Sequence, residues 1–278
     1  MLVGVTVAPK DYETRILAQP GSQMCRVFGY ASKALPSWTP ATGDGRVARL
    51  RELIPGIVPA CVFQDWPNDT VTQQRVTGWL DQVDAPCRLT WRHEADRKRV
   101  EPTSYRRCWY LLAQWVAEHP NGHYVTLAPT QTYQWTMTYV PGKGAGDWSK
   151  YYTGIGNTGI DTYANSWEAG YPDPGAFLAP LWRYRDTISR PLELPEFGAA
   201  RVKGDPDGRK RADWLYQCAS IMHAQGVTAV AYWDAIGSNG TDLRLWETAP
   251  TTPEALAWSA AITDFGERSE IQADQASH

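Results

Sequence analysis

Little in this chain supports disulfide or metal chemistry. Its 278 residues include five cysteines, Cys25, Cys61, Cys87, Cys108 and Cys218, with no CxxC pair among them. An odd, scattered set argues against both a disulfide framework and a zinc knuckle. The default for each is a buried, inert thiol. Long apolar runs are missing too: none approaches the ~20 residues that a membrane span needs. The opening Met1-Leu2-Val3-Gly4-Val5-Thr6-Val7 reads as a strand, with no basic segment or cleavage site, so no export signal is read. That leaves localisation open between cytoplasmic, phage-borne and exported with the signal already removed. Charge of one sign is also lacking, with a net charge of −3 and no basic block. The electrostatic footprint of a nucleic-acid binder is therefore absent.

What is present has a clear order. Eight apolar, β-branched or aromatic runs read as strands: Leu2–Val7, Arg26–Tyr30, Gly56–Phe63, Cys87–His93, Tyr124–Ala128, Gly159–Tyr163, Pro191–Phe197 and Val227–Trp233. Helix-period segments lie between most of them, at Arg46–Ile54, Thr70–Val83, Thr103–Glu118, Pro174–Thr187, Asp207–Ala224 and Pro253–Phe265. The stretch between the first two strands carries the weakest helical signal. Alternating strands and helices predict a parallel sheet, and at this length a closed (β/α)8 TIM barrel is the economical solution. A doubly wound open sheet is disfavoured, because no GxGxxG follows the first strand and no P-loop occurs. One barrel domain is expected over 1–266, followed by a polar, disordered tail at 267–278.

Phenylalanine is scarce, with 5 against 14 Trp and 14 Tyr. Tryptophan and tyrosine join an apolar face to a polar tip. They suit a surface meeting the C–H faces and hydroxyls of sugars, and equally the packed interior of a large barrel. Many fall between Thr130 and Thr158, including Tyr133, Trp135, Tyr139 and Trp148, in what reads as a long loop after the fifth strand. Loops at that end of a barrel build the active face.

Two carboxylates stand out on the same logic. Glu94 closes the fourth strand-like run and Glu196 the seventh. Strand ends at the carboxyl face hold the chemistry of barrel enzymes, and strands four and seven face each other across the mouth. Paired carboxyls ~5–5.5 Å apart serve retaining glycoside hydrolysis, and ~6.5–9.5 Å the inverting route. Either glutamate alone reads as half of a buried ion pair with Arg92, Arg201 or Lys203. Other chemistries have less to build on. Arg97 stands where HExxH needs its second histidine, and no GxSxG occurs, so neither a metal nor a cofactor is expected. His119, His123, His223 and His278 fall near helix ends, turns or the tail. Asp161 reads equally as a sugar ligand and as a loop anchor, as do Asp234 and Asn239 beyond the last strand.

Arg92-His93-Glu94, Gly159-Ile160-Asp161-Thr162-Tyr163, Pro195-Glu196-Phe197-Gly198 and Tyr232-Trp233 together resemble clan A glycoside hydrolases. Across about residues 57 to 240 the chain is most similar to family 26, the β-mannanase-type group. The resemblance implies Glu94 as general acid/base and Glu196 as nucleophile. It implies His93 lining the subsite of the reacting sugar, Tyr163 orienting Glu196, and Trp233 as the floor on which that sugar stacks. Trp135, Trp167, Asp161 and Asp234 complete the expected substrate-binding set. The chain departs from the family after His-Glu, where Met-Asn or Met-Asp is usual and Ala95-Asp96-Arg97-Lys98 stands here. The expectation is a monomeric, retaining, endo-acting hydrolase of a β-linked polysaccharide. The alternatives are a non-catalytic carbohydrate-binding barrel in a phage or cell-surface assembly, and a lysin of cell-envelope glycans.

Overall fold

Short strands that are apolar on both faces survive only where both faces are covered, and a barrel ringed by helices provides this. The computed structural model describes residues 1–7, 12–28, 35–39, 45–63, 70–133, 148–164, 170–237, 240–246 and 250–267. Nine parallel strands run β1 (Leu2–Thr6), β2 (Met24–Phe28), β3 (Val58–Phe63), β4 (Cys87–Trp91), β5 (Val125–Leu127), β6 (Thr130–Thr132), β7 (Thr158–Ala164), β8 (Leu192–Ala199) and β9 (Ala229–Trp233). Their order in the sheet is β5-β4-β3-β2-β1-β9-β8-β7-β6.

The two ends of that order are neighbours in the chain, separated only by Ala128-Pro129. Pro129 has no N–H to give a ladder. Its carbonyl accepts from the Gly159 amide at 2.8 Å, while the Ala128 amide donates to the Leu89 carbonyl at 3.0 Å. β5 and β6 are thus two halves of one barrel strand, broken at the proline, and the sheet closes through them as a (β/α)8 barrel. The sequence expectation ended this strand at Ala128 and placed Thr130 in a loop. The chain instead resumes pairing after the proline, against β7. β4, β7, β8 and β9 are therefore barrel strands four, six, seven and eight.

The helices are α1 (Tyr12–Leu17), α2 (Arg46–Leu53), α3 (Thr70–Leu80), α4 (Pro102–Glu118), α5 (Pro174–Ile188), α6 (Arg209–Ala224) and α7 (Pro253–Phe265). Three open on a capping side chain followed by proline: Glu101 accepts from the Thr103 and Ser104 amides, Asp173 from Ala176, and Thr252 from Ala255. Proline is preorganised for the first helical position, where its missing N–H costs nothing. The larger apolar cluster, with Val3, Val5, Cys25, Leu89 and Trp258, lies between strands and helices. A smaller one of Met24, Ala60, Ala229 and Ala231 lines the barrel interior. All five cysteines are buried, and burial pushes the Cys87 thiol up to about 12. No helix among the described residues is long and apolar enough to cross a membrane.

One irregularity decides what the interior contains. β8 pairs with β7 at Gly159↔Glu193 and next at Thr162↔Phe197, and with β9 at Leu194↔Val230 and next at Phe197↔Tyr232. β8 therefore carries one residue more than either neighbour, a bulge at Pro195-Glu196. In a regular strand, positions three apart face opposite sides. The bulge turns both Glu193 and Glu196 inward. Glu193 meets Arg88 at 2.8 Å across the barrel. The Pro195 carbonyl, displaced from the ladder, accepts from the Thr6 hydroxyl at 3.0 Å. Room for the bulge comes from Gly159, where a Cβ would lie 2.5 Å from Thr130 Oγ1 and 3.2 Å from the Pro195 ring. Gly159→Ala is expected to destabilise the fold by about 1–3 kcal/mol, read as a lower melting temperature. An unchanged melt would show that the bulge tolerates a methyl group here.

Candidate active site

The carboxyl ends of β2, β4, β7 and β8 bring three acids and an arginine together. Arg26 in β2 is 1 % exposed, Asp161 in β7 2 %, Glu196 in β8 6 % and Glu94 beyond β4 8 %. Arg26 Nη1 donates to Asp161 Oδ1 at 2.9 Å and to Glu196 Oε1 at 2.7 Å. The Tyr163 hydroxyl donates to the other Glu196 oxygen, Oε2, at 2.6 Å. Both oxygens of Glu196 are thus held, one by a cation and one by a phenol.

Glu94 arrives by a different route from the one expected. β4 stops at Trp91, and Glu94 sits in the turn after it rather than on the strand. Arg92 and Glu94 both take left-handed backbone, at φ 50° and 54°. Such a conformation costs an L-residue roughly 1–2 kcal/mol, and strain of this kind concentrates where function requires it. Several bonds hold the turn. The Arg92 amide donates to the Phe63 carbonyl at 2.9 Å and the Glu94 amide to Thr130 at 3.0 Å. Asp96 Oδ2 accepts from the Thr132 amide at 3.0 Å and from the Thr132 hydroxyl. The resumed strand β6 is therefore what anchors the Glu94 turn. Glu94, Asp161 and Glu196 each bring a carboxylate oxygen within 4.8 Å of the others, close enough to surround a cation. Arg26 already supplies positive charge to two of them.

Electrostatics separates the three acids. Burial pushes Asp161 well above the carboxylate range; Arg26 opposes this, and Glu196 and Glu94 add to it. Burial also raises Glu196, but Arg26, Tyr163 and Lys98 pull it back. Two buried carboxylates sharing one guanidinium hold a proton between them. Burial favours the proton on Asp161, while Arg26 and Tyr163 favour the charged form of Glu196. For Arg26 itself, burial works against the charge, but Asp161 and Glu196 outweigh it and raise its pKa. It follows that Asp161→Asn, which mimics the protonated acid, keeps the fold with a melting temperature at pH 7 no lower than wild type. A drop of several degrees would mean that Asp161 is charged.

His93 is 9 % exposed, and burial first, then Arg26, Lys98 and Arg97, hold it well below its usual pKa. It is the neutral imidazole. Phe28 meets it edge-on at 5.5 Å and meets Trp233 edge-on at 5.9 Å, so the three rings form one wall. Lys98 Nζ lies 3.2 Å from His93 Nε2 and donates to the His93 carbonyl at 3.0 Å. Arg97 Nη1 stands 3.4 Å from both oxygens of Glu94.

Not every expected residue joins this group. Asp234 is fully buried, taking Arg15 at 2.8 Å and the Leu245 amide at 2.7 Å on one oxygen. Through these bonds it pins the segment after β9. Trp135, Trp167 and Asn239 lie outside the described residues, as do 268–278 of the expected tail. Of the anticipated ion-pair partners, Arg201 binds Glu254 instead. The partner of Glu196 is Arg26, which the sequence reading passed over. Its signal was available: an arginine in the middle of Met24-Cys25-Arg26-Val27-Phe28, at an inward position of an otherwise apolar strand.

No family model matches the chain, and no curated protein matches it. Solved structures do. A variant of the glycoside hydrolase family 128 (subgroup I) endo-β-1,3-glucanase from Amycolatopsis mediterranei, in complex with laminaripentaose, is 16% identical with a TM-score of 0.60. The likeness covers 93% of this chain and 98% of that one. The endo-β-1,4-mannanase from Thermotoga petrophila is 12% identical with a TM-score of 0.58, over 97% of this chain and 78% of the other. A family 128 (subgroup VII) oligosaccharide-binding protein from Trichoderma gamsii is 16% identical with a TM-score of 0.52, over 95% and 96%. A glucanase stands beside a mannanase here, so the likeness does not single out the β-mannanase-type group. At these identities it establishes the shared (β/α)8 fold, one that carries both hydrolases and an oligosaccharide-binding protein.

Proposed function

We propose that the protein is a retaining, endo-acting glycoside hydrolase of a β-linked polysaccharide. The observation that carries this reading is the approach of Glu94 and Glu196, with carboxylate oxygens within 4.8 Å at the carboxyl rim of the barrel. Oxygens brought this close support a covalent route over one that must leave room for an intervening water. In the first step an oxygen of Glu196 bonds to the anomeric carbon. The glycosidic C–O bond breaks, and Glu94 gives its proton to the leaving oxygen. In the second step Glu94 takes a proton from water, whose oxygen displaces Glu196 from the sugar, so two inversions restore the configuration. Arg26 and Tyr163 favour the ionised form of Glu196 and orient it, and the Phe28–His93–Trp233 wall offers an apolar face to the sugar ring.

The test is reducing-sugar release from mannan, β-glucan, xylan, arabinan, galactan and purified cell walls, with the first-formed anomer read by NMR. The β-anomer is expected; an α-anomer would overturn the retaining mechanism. A second reading, a barrel that binds oligosaccharide without cleaving it, is favoured by one observation. Arg97 leans on both oxygens of Glu94 at 3.4 Å, where an acid/base must meet the scissile oxygen. Saturable binding with no release from any polymer would favour it.

A further inference from the structure

Two cations at the cleft are left over by the hydrolytic geometry. The Arg97 side chain is 59 % exposed and approaches Glu94 no closer than 3.4 Å. A charge-assisted bond between guanidinium and carboxylate closes to ~2.7–2.9 Å, so Glu94 holds Arg97 loosely and with one nitrogen. The Arg97 side chain has no other hydrogen-bond partner among the described residues. Lys98, one residue on, directs its ammonium at His93, and that ammonium's hydrogen-bond partners among the described residues are all on the histidine. A strongly hydrated point charge is poorly served by a neutral imidazole. Burial accordingly lowers the Lys98 pKa, while Glu94, Glu196 and Asp161 act to raise it.

Asp161 and Glu196 share Arg26, while Arg97 and Lys98 add two further cations beside Glu94 and His93. Neither cation closes a tight ion pair among the described residues. A neutral sugar offers hydroxyls, which any donor satisfies and which leave those two charges uncompensated. A carboxylate or sulfate substituent would take the fork of Arg97 and the point charge of Lys98 together. On the reading that this cleft binds a glycan, we propose that Arg97 and Lys98 select chains bearing an anionic substituent, a uronate carboxylate or a sulfate ester, on a sugar beside Glu94.

The probes are polymer sets sharing one backbone: β-1,3-glucan and β-1,4-mannan, each neutral, oxidised at C6 to the uronate, or sulfated. The carboxylate and sulfate arms separate the two substituents. Hydrolysis by wild type and binding by Glu196→Gln are measured on each. One anionic form is expected to exceed its neutral parent by ~10-fold or more in kcat/KM or in affinity, an advantage that shrinks as salt shortens the screening length. In the Arg97→Ala/Lys98→Met variant, checked as folded by its melt, the ratio of anionic to neutral polymer falls towards one, whatever its absolute rate. A wild-type preference for the neutral polymer, or a ratio unchanged in the double variant, overturns the proposal. If nothing is cleaved but anionic chains bind wild type and not the double variant, the selectivity stands and the hydrolase reading fails. If neutral chains are cleaved and anionic ones refused, the reverse holds.

Discussion

Glu196→Gln is expected to cut turnover by about 10⁴–10⁶-fold while leaving binding measurable. The carboxylate is held on both oxygens, by Arg26 Nη1 at 2.7 Å and the Tyr163 hydroxyl at 2.6 Å. Glutamine keeps the shape and one acceptor but has no charge with which to attack an anomeric carbon. Its melting temperature is expected to stay close to wild type, which separates lost chemistry from lost fold. The shortened Glu196→Ala tests the role directly. Supplied with azide, it should regain turnover on an activated glycoside and release a glycosyl azide of inverted configuration, since a small anion then occupies the nucleophile's place. Residual activity in Glu196→Gln within ~10-fold of wild type would remove Glu196 from the chemistry.

Arg26→Met is expected to be the most destabilising single change near the cleft. It removes the buried cation shared by Asp161 and Glu196 while keeping much of the volume. Taking one partner from a buried ion pair costs about 3–5 kcal/mol, because the remaining charge is left uncompensated. The loss has a pH signature. Both carboxyls have raised pKa values in the fold, with burial the main cause. Such groups contribute stability that is full below the ordinary carboxylate range and is lost as pH rises through the folded pKa values. Without Arg26 those values climb further, so the deficit of Arg26→Met grows from about pH 4 to pH 7, the lower limit set by ordinary carboxylate pKa values. Adding Asp161→Asn removes one of the two stranded acids and should recover part of the loss. Non-additivity of that pair is the direct measure of their coupling. A deficit independent of pH would mean that Arg26 acts through packing alone.

Much of the architecture was legible one residue at a time. The cap-then-proline steps at Glu101-Pro102, Asp173-Pro174 and Thr252-Pro253 are local chemistry, and the helices start there. Period-two and period-3.6 apolar runs place strands and helices because burial acts on every side chain of a face at once. Boundaries were harder where long-range pairing decides them. Nothing near Thr130-Gln131-Thr132 announces a strand; it forms because Gly159, Ile160 and Asp161 lie alongside. Likewise the sequence placed Glu94 on a strand, whereas the Phe63 and Thr130 carbonyls capture the amides of a left-handed turn.

By itself the sequence determined the alternation of strands and helices, and with it the barrel, because capping and amphipathic period are properties of neighbouring residues. It also put Glu94 and Glu196 at the same rim, since parallel strands all end their carboxyl termini on one face. The tertiary structure alone decided which charges meet. Arg26 and Glu196 are 170 positions apart in the chain, and Arg26 and Asp161 are 135 apart. A one-residue bulge, legible only in register with the strands on either side, points Glu196 inward. Charge pairing depends on distances of a few ångströms, and only closure of the barrel sets those distances.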